Sequence, residues 1–219
     1  MDHKAKDNKV LGKLGALICG ENTNPLARYS LMAQGENVHI SSWPAIWPTR
    51  APPSSTSTTV PDTTSSASAR NYDNVAANRT RAAAHCFEAK AFGILCSGHL
   101  SPEMVEYVAR ESHDPSHIAR VLTESSRGAS MFLDPTGTLK PGWTVDATTG
   151  EKKITEMLQT EEDILYADLD VKECVEGKQY HDVVGGYQRL DIFDLKIDRR
   201  RREPARFVDE AGSDDVEKV

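Results

Sequence analysis

The chain has 219 residues, with 26 Lys and Arg against 33 Asp and Glu, so its formal charge at pH 7 is −7. This acidic balance argues against nucleic acid or an anionic membrane surface as the main partner, and no apolar run approaches the roughly 18 residues of a membrane-spanning helix. The four cysteines show no Cys-x-x-Cys spacing, and a chain of this length folds without disulfides. We therefore predict a cytoplasmic protein with free thiols, no nucleic-acid partner and no membrane attachment.

Two segments have compositions that do not support a packed core. Residues 51–69 contain eleven Ser or Thr and three Pro among nineteen residues, and Asp62 is their one charged side chain. Such a stretch buries too little apolar surface to offset the entropy of ordering it. Residues 199–219 place an Arg run before several acidic residues, which favours a disordered, solvated tail over a nucleic-acid signal. We predict one domain over residues 1–198, with a loop insertion at 51–69 and the tail after it.

The first apolar part of the chain has the signals of a strand, a helix and a second strand. Residues 13–18 form a compact apolar run that suits a buried strand. Asn24 is a favourable N-cap, Pro25 suits the first helical position, and Gly35 suits the position after a helix end. Residues 38–42 have the pattern of a second strand. The simplest arrangement is a right-handed crossover with both strands in one sheet.

The rest of the chain continues to alternate helix and strand signals. The patterns predict helices over 72–90 and from Pro102 and Pro115 onward, and strands at 92–96, 131–133, 164–170 and 192–197. This order indicates an α/β protein, or an α+β protein with a strand-rich end.

Cys19 is the residue with the clearest chemical role. It ends the first predicted strand and enters the polar turn Gly20-Glu21-Asn22, just before a predicted helix N-terminus. Turn amides and the helix dipole favour a thiolate there and stabilise a developing negative charge, while Gly20 permits unusual backbone angles and the close approach of a substrate. These residues alone leave two interpretations open, a nucleophile and an inert buried thiol, because free cysteines are often buried.

Four segments of the sequence match a known pattern: GKLGALICGENTNPLARYSLMAQGENVHISSWPAIWPTR, NYDNVAANRTRAAAHCFEAKAFGI, LYADLDV and HDVVGGYQRLDIF. Together they cover most of residues 12–198, and they closely resemble the nitrilases, carbon–nitrogen hydrolases of the nitrilase superfamily. The resemblance implies an αββα sandwich that assembles through its surfaces into homo-oligomers. It also implies that Cys19 attacks an organic nitrile to give a covalent thioimidate, which water converts to carboxylic acid and ammonia without a metal or an organic cofactor.

The resemblance also implies two residues that we do not find. Nitrilases place a Glu general base and a Lys that stabilises the intermediate ahead of the nucleophile, but neither a Phe-Pro-Glu-type nor a His-Arg-Lys-type segment precedes Cys19. Lys13 lies about 20 Å away along an extended strand, and Glu21 matches a family position that braces the turn. We therefore expect an N-terminally truncated member of the family. The alternatives to an active nitrilase are an impaired fragment or assembly partner, and a cyanide hydratase or amidase on the same scaffold.

Three further residues are assigned to substrate binding by the resemblance alone. Trp43, Pro44 and Trp47 follow the second predicted strand, where a nitrilase has the wall of its pocket. Core packing is the alternative role for the two tryptophans.

The remaining cysteines and histidines give no metal site. His113 and His117 have i, i+4 spacing, but a helix-opening proline between them prevents a shared helix face. Cys86 and Cys96 are predicted to lie in the core, and Cys174, which is surrounded by charged residues, is predicted to be exposed.

Overall fold

The computed structural model describes residues 2–4, 10–45, 73–124 and 127–200. The chain separates into two units, Met1–Gln188 and Arg189–Val219. The predicted insertion at 51–69 and the tail beyond residue 200 lie outside the described residues. The domain boundary at residue 198 therefore stays a prediction.

The described residues form strands, α-helices and one 3-10 helix, which confirms the predicted α/β class. The strands are β1 (Asp2–Lys4), β2 (Val10–Ile18), β3 (Val38–Trp43), β4 (Phe92–Ser97), β5 (Ser130–Leu133), β6 (Leu139–Lys140), β7 (Gly142–Val145), β8 (Lys152–Thr155) and β9 (Met157–Leu158). The helices are α1 (Pro25–Met32), α2 (Asn74–Ala89), α3 (Pro102–Arg110), α4 (Pro115–Glu124) and α5 (Glu173–Lys178), and the 3-10 helix is Cys19–Thr23. None of the helices in the residues that the structure describes is long and apolar enough to cross a membrane.

Seven strands form one mixed sheet in the order β1-β2-β3-β4-β5-β6, with β9 also paired to β5. Its centre is parallel, because β3 pairs in parallel with both β2 and β4. Strands β7 and β8 form a separate antiparallel pair. Since parallel strands end at the same edge of a sheet, the last residues of the three central strands, Ile18, Trp43 and Ser97, bring the segments that follow them to one edge.

Local capping signals place the two helices that connect the parallel strands. The side chain of Asn24 accepts hydrogen bonds from the backbone N–H groups of Leu26, at 3.0 Å, and Ala27, at 3.4 Å. The Asp73 carboxylate caps α2 in the same way, at 3.0 Å from the Ala76 nitrogen. These caps satisfy backbone donors that have no partner within the helix, so the predicted β-α-β unit forms with β2 and β3 parallel.

The main core lies between α2 and the sheet. Its buried members come from α2, β3, β4, β5 and the residue before β5: Trp43, Ala82, Cys86, Leu95, Ala129, Met131 and Leu133. A Cβ atom added to Gly93 in β4 would overlap the Cys86 sulfur, so α2 approaches β4 more closely than a larger residue there allows.

The opposite face of the sheet is less covered. Register places Leu14, Ile18, Ile40, Ile94 and Phe132 on that face, and Ile18 is 66% exposed. The described residues thus pack α1 and α2 on one face of this sheet and leave apolar side chains on the other partly accessible.

The C-terminal half differs from the sequence predictions at three places. Residues 164–170 form one isolated bridge, between Trp143 and Tyr166, in place of a strand, and residues 192–197 form no strand. The structure instead has the short strands β6 to β9 and the helix α5, which the sequence analysis did not predict. The strand prediction at 164–170 is therefore wrong, because a strand also needs a neighbour that completes the ladder.

Candidate active site

The Cys19 side chain stands at the junction between β2 and the 3-10 helix, as predicted for the end of a strand. Its backbone has a φ of 47°, a left-handed conformation that residues other than glycine rarely adopt. The prediction that Gly20 supplies the unusual backbone angle is wrong, because Gly20 has no positive φ and Cys19 itself takes this conformation. Cys19 is half-buried, so its strained backbone fixes the direction of a partly accessible thiol.

The Glu21 carboxylate braces this turn. Its Oε2 atom accepts a hydrogen bond from the Ile18 backbone N–H at 2.9 Å, which agrees with the bracing role implied by the resemblance. Lys13 points elsewhere, because its ammonium group donates to the Gln34 carbonyl at 2.9 Å, near the start of β2.

The buried Asn22 side chain makes four hydrogen bonds. Its Nδ2 group donates to the carbonyls of Leu17, at 2.9 Å, and Cys19, at 3.3 Å. Its Oδ1 atom accepts from Ser41 Oγ at 2.9 Å, and His39 Nε2 lies 3.1 Å from the same oxygen. Every polar position of the amide is therefore used, and the turn that holds Cys19 is tied to β3.

A buried group of three ionisable side chains continues from Asn22 into the core. His39 Nδ1 lies 3.1 Å from Glu36 Oε2, and His85 Nε2 contacts the other carboxylate oxygen of Glu36. These side chains come from the turn before β3, from β3 and from α2. We call Glu36, His39 and His85 the buried triad.

Sequence reasoning missed the buried triad, although one signal was present. In β3, residues 38–43, His39 and Ser41 alternate with Val38 and Ile40. Polar residues are the ones on the face that this strand buries. A period-2 pattern with the polar set inward indicates a hydrogen-bonded interior.

The electrostatics of the triad favour an ionised carboxylate. Burial raises the pKa of Glu36, but hydrogen bonds and charges from His39 and His85 outweigh burial, and the pKa is lowered. Burial lowers the pKa of His85, and the charges of His39 and Arg28 act in the same direction. The hydrogen bond to Glu36 opposes this shift without reversing it.

The same three side chains offer ligand atoms within 4.8 Å of one another, so we tested them as a metal site. Two imidazoles that bind one ion must direct in-plane lone pairs at a common point. The rings of His39 and His85 lie tilted against each other, with centroids 3.8 Å apart and an interplanar angle of 31°. The Nδ1 atom of His39 and the Nε2 atom of His85 each contact a carboxylate oxygen of Glu36, so the triad fits a proton network better than a metal ion.

Two of the three residues predicted to line a substrate pocket lie in the described part of the chain. Trp43 is buried in the main core, 6% exposed, with the Arg81 guanidinium 5.6 Å from its ring centroid. Pro44 is exposed, and Trp47 lies outside the described residues. The substrate-binding role of all three stays a prediction.

A cavity of about 400 Å³ lies where β4 ends, lined among others by Ser97, His99 and Glu162. Cys19 and Trp43 are not among its lining residues in the part of the chain that the structure describes. The cavity shares the carboxyl edge of the parallel strands with Cys19, but it is not built around the thiol.

The other three thiols are less accessible than Cys19 or are shifted against ionisation. Cys86 is buried, as predicted, and Cys96 is half-buried. The prediction that Cys174 is exposed is wrong: α5 packs this side chain inward, where its sulfur lies 3.4 Å from the Asn37 carbonyl. Burial raises the pKa of all three thiols.

Comparisons with known proteins give a consistent family. The pattern of the carbon-nitrogen hydrolases matches residues 5–179. A nitrilase of Penicillium rubens is 28% identical over 91% of this chain and 51% of its own length. An aliphatic nitrilase of Rhodococcus rhodochrous is 26% identical over 90% of this chain and 43% of its own length. The crystal structure of a carbon-nitrogen hydrolase from Helicobacter pylori matches 78% of this chain and 45% of that chain, with 17% identity and a TM-score of 0.42. The chain thus spans about half the length of the curated relatives it matches.

Proposed function

Because this chain belongs to the carbon-nitrogen hydrolase family, we propose that it acts as a nitrilase-type hydrolase with Cys19 as the nucleophile. The observation that carries this proposal is the position of Cys19, half-buried at the carboxyl end of a central parallel strand in a left-handed conformation. The curated relatives are nitrilases, so the proposed substrate is an organic nitrile.

In the proposed reaction, the Cys19 thiolate attacks the nitrile carbon. A C–S bond forms, one π bond of the nitrile breaks, and the nitrogen takes up a proton to give a thioimidate. Water adds to that carbon and ammonia leaves, so a thioester remains. A second water hydrolyses the thioester to carboxylic acid and releases the thiol.

The described residues support the assignment of the nucleophile more than they support an assignment of the groups that transfer protons. Glu21 and Asn22 hold the turn in which Cys19 lies. The proposed pocket wall consists of Trp43, Pro44 and Trp47. We propose that the general base and the cation of the reaction come from outside the described residues, in a partner chain.

A second candidate function is an assembly partner with little turnover of its own. The observation in its favour is that Glu21 is engaged by the Ile18 N–H and Lys13 by the Gln34 carbonyl. General acid–base assistance contributes about 10²- to 10⁴-fold to such reactions, so a chain without a base retains only slow attack by the thiolate.

Ammonia release from aliphatic and arylaliphatic nitriles tests these proposals. The proteins to compare are this chain, its Cys19→Ala variant, and a chimera that carries the N-terminal half of a nitrilase relative ahead of it. We expect turnover by the chimera that Cys19→Ala abolishes, and slow or absent turnover by the chain alone. A chimera that is as active with Ala at position 19 contradicts the assignment of Cys19. Robust turnover by the unextended chain shows that its own residues supply the base and the cation.

A further inference from the structure

We propose that His39, oriented by Glu36, is a positioning residue for Cys19 and acts through the Asn22 side chain. The inference deepens the proposed function, on which it rests, because it concerns the geometry of the same nucleophile. Its central observation is an unbroken line of hydrogen bonds from the triad to the carbonyl groups on either side of the β2 end, buried at His39 and part-buried at the carbonyls.

The proton on His39 follows from the orientation of Asn22. The Nδ2 group of Asn22 faces two backbone carbonyls, which only accept hydrogen bonds. Its Oδ1 atom must then face His39, so the Nε2 atom of His39 carries a proton and donates it to this oxygen. The imidazole therefore holds the amide in the one orientation that serves both carbonyls.

Glu36 fixes the other side of the imidazole. The Glu36 Oε2 atom lies 3.1 Å from His39 Nδ1 and holds this side of the ring. His85 donates its Nε2 proton to the same carboxylate. Its Nδ1 atom is buried without a hydrogen-bond partner among the described residues, which fits the neutral ring.

Two further ionisable groups, Arg28 and Cys86, lie near the triad. Arg28 of α1 affects His85 from outside the triad, but it forms its own ion pair with Glu88 of α2 at 3.1 Å. Cys86, beside His85, has its pKa raised by burial and by the Glu36 charge. It therefore stays a neutral thiol. The Glu36 carboxylate is thus buried between its two histidines, and a buried carboxylate that loses these contacts is costly.

The line of hydrogen bonds ends at Cys19, whose backbone is strained. A non-glycine residue at φ 47° is costly and persists only when its surroundings over-determine it. Asn22 binds the carbonyl of Cys19 itself and that of Leu17, two residues earlier. Without a donor on His39, the amide loses the contact that sets its orientation, and the Cys19 turn is free to relax.

Two substitutions of His39 separate its contact with Asn22 from its contact with Glu36. In His39→Gln, the amide nitrogen reaches the place of Nε2 and still donates to Asn22, while the contact with Glu36 is lost. In His39→Asn, the shorter amide occupies the place of Nδ1, so the contact with Glu36 remains and the donor to Asn22 is lost. The same two substitutions at His181, which contacts Phe87 and Tyr187 instead, are matched controls.

The measurement is the rate of Cys19 alkylation by iodoacetamide, divided by that of Cys96 in the same molecule and read by peptide mass spectrometry. We expect His39→Asn to lower this ratio about tenfold, with His39→Gln within about threefold of the parent chain and both His181 variants unchanged. Equal effects of the two His39 substitutions, or parallel changes at Cys19 and Cys96, overturn the proposal, because a merely structural role does not distinguish the two.

Ser41→Ala keeps the proposal testable if His39→Asn does not fold. It removes the second donor to Asn22 Oδ1 without disturbing the contact between His39 and Glu36, and a ratio lowered about threefold is expected. An unchanged ratio overturns the proposal. Alkylation needs no nitrile. Loss of the predicted difference between His39→Asn and His39→Gln is therefore a separate result from loss of nitrile turnover.

Discussion

Gly15 is the residue on which the buried triad depends most directly for space. It lies opposite His39 in the parallel pair of β2 and β3, and a Cβ atom there would overlap the Glu36 carboxylate. Glycine is needed for room rather than for its backbone angle, because Gly15 has no positive φ.

Replacing Gly15 by Ala should therefore destabilise the fold. The carboxylate cannot move away without breaking hydrogen bonds to His39 and His85, so we expect a loss of about 1–3 kcal/mol in the free energy of unfolding. Gly20→Ala is the matched control, because its Cβ would meet nothing within 4 Å, and it should stay within about 0.5 kcal/mol. Urea titration followed by circular dichroism measures both. Equal stability of the two variants contradicts the packing of Glu36 against Gly15.

The four thiols should differ in reactivity for reasons of exposure and ionisation. Cys19 is half-buried in a polar turn, Cys96 is half-buried with a raised pKa, and Cys86 and Cys174 are buried. Because the thiolate is the reactive form, limited alkylation of the folded protein at pH 7.5 should modify Cys19 first and Cys86 and Cys174 last. Peptide mapping gives the order. Modification of Cys174 before Cys19 contradicts both the burial of α5 and the special position of Cys19.

At the scale of single elements, the Asn24 cap fixes where the helix after the Cys19 turn begins. Asn24→Ala removes the acceptor for two N–H groups of α1 and should cost about 1 kcal/mol of stability. Thr80→Ala in α2 is a suitable control, because the Thr80 hydroxyl only returns a hydrogen bond to the Ala76 carbonyl within its own helix. Thermal unfolding compares the two. A larger loss for Thr80→Ala than for Asn24→Ala contradicts the capping role.

Elements with local signals were predictable, and those that depend on distant partners were not. The caps at Asn24 and Ser101 and the apolar run of β4 mark their elements within a few residues. The strands β6 to β9 have two to four residues each, although the turn at Asp134, whose carboxylate accepts from the Thr136 and Thr138 N–H groups, was a usable signal.

The residues of the candidate site also differ in whether a local sequence pattern predicts them. Cys19 and the bracing Glu21 follow from a strand, a turn and a resemblance, all within a few residues. The contact between His85 and Glu36 joins positions 49 apart in the sequence. No local pattern encodes such a contact, so the buried triad became visible only once the parallel strands and α2 were assembled.

For the whole molecule, the triad predicts sensitivity to acid. The folded-state pKa of His85 lies below its ordinary 6.5, so the unfolded chain binds a proton first and stability falls as pH drops below that value. The pKa of Glu36 is lowered from 4.5. Its contribution is therefore present above 4.5 and is lost as pH falls through its folded-state value. Both shifts act in the same direction.

Glu36→Gln should lower stability at pH 7 by about 3 kcal/mol, because it weakens two buried hydrogen bonds with the histidines. It should also steepen the fall in stability between pH 7 and pH 4, because the hydrogen bond and charge of Glu36 oppose the lowering of the His85 pKa. Glu106→Gln, at an exposed position of α3, should follow the parent chain at every pH. Urea unfolding across this pH range gives the curves. A Glu36→Gln curve that runs parallel to that of the parent chain contradicts the role of the triad.

The contact between Gly15 and Glu36 also favours the correct register of the central strands over a slipped one. A slip of β2 by one residue against β3 would bring Leu14 or Ala16 to the Glu36 carboxylate, and both carry a side chain where only hydrogen fits. A hydrophobic core alone tolerates such an error, since apolar residues substitute for one another. The buried Glu36 carboxylate does not tolerate this error, because a misaligned sheet would separate it from its histidines. A polar contact inside the core therefore favours the correct pairing of β2.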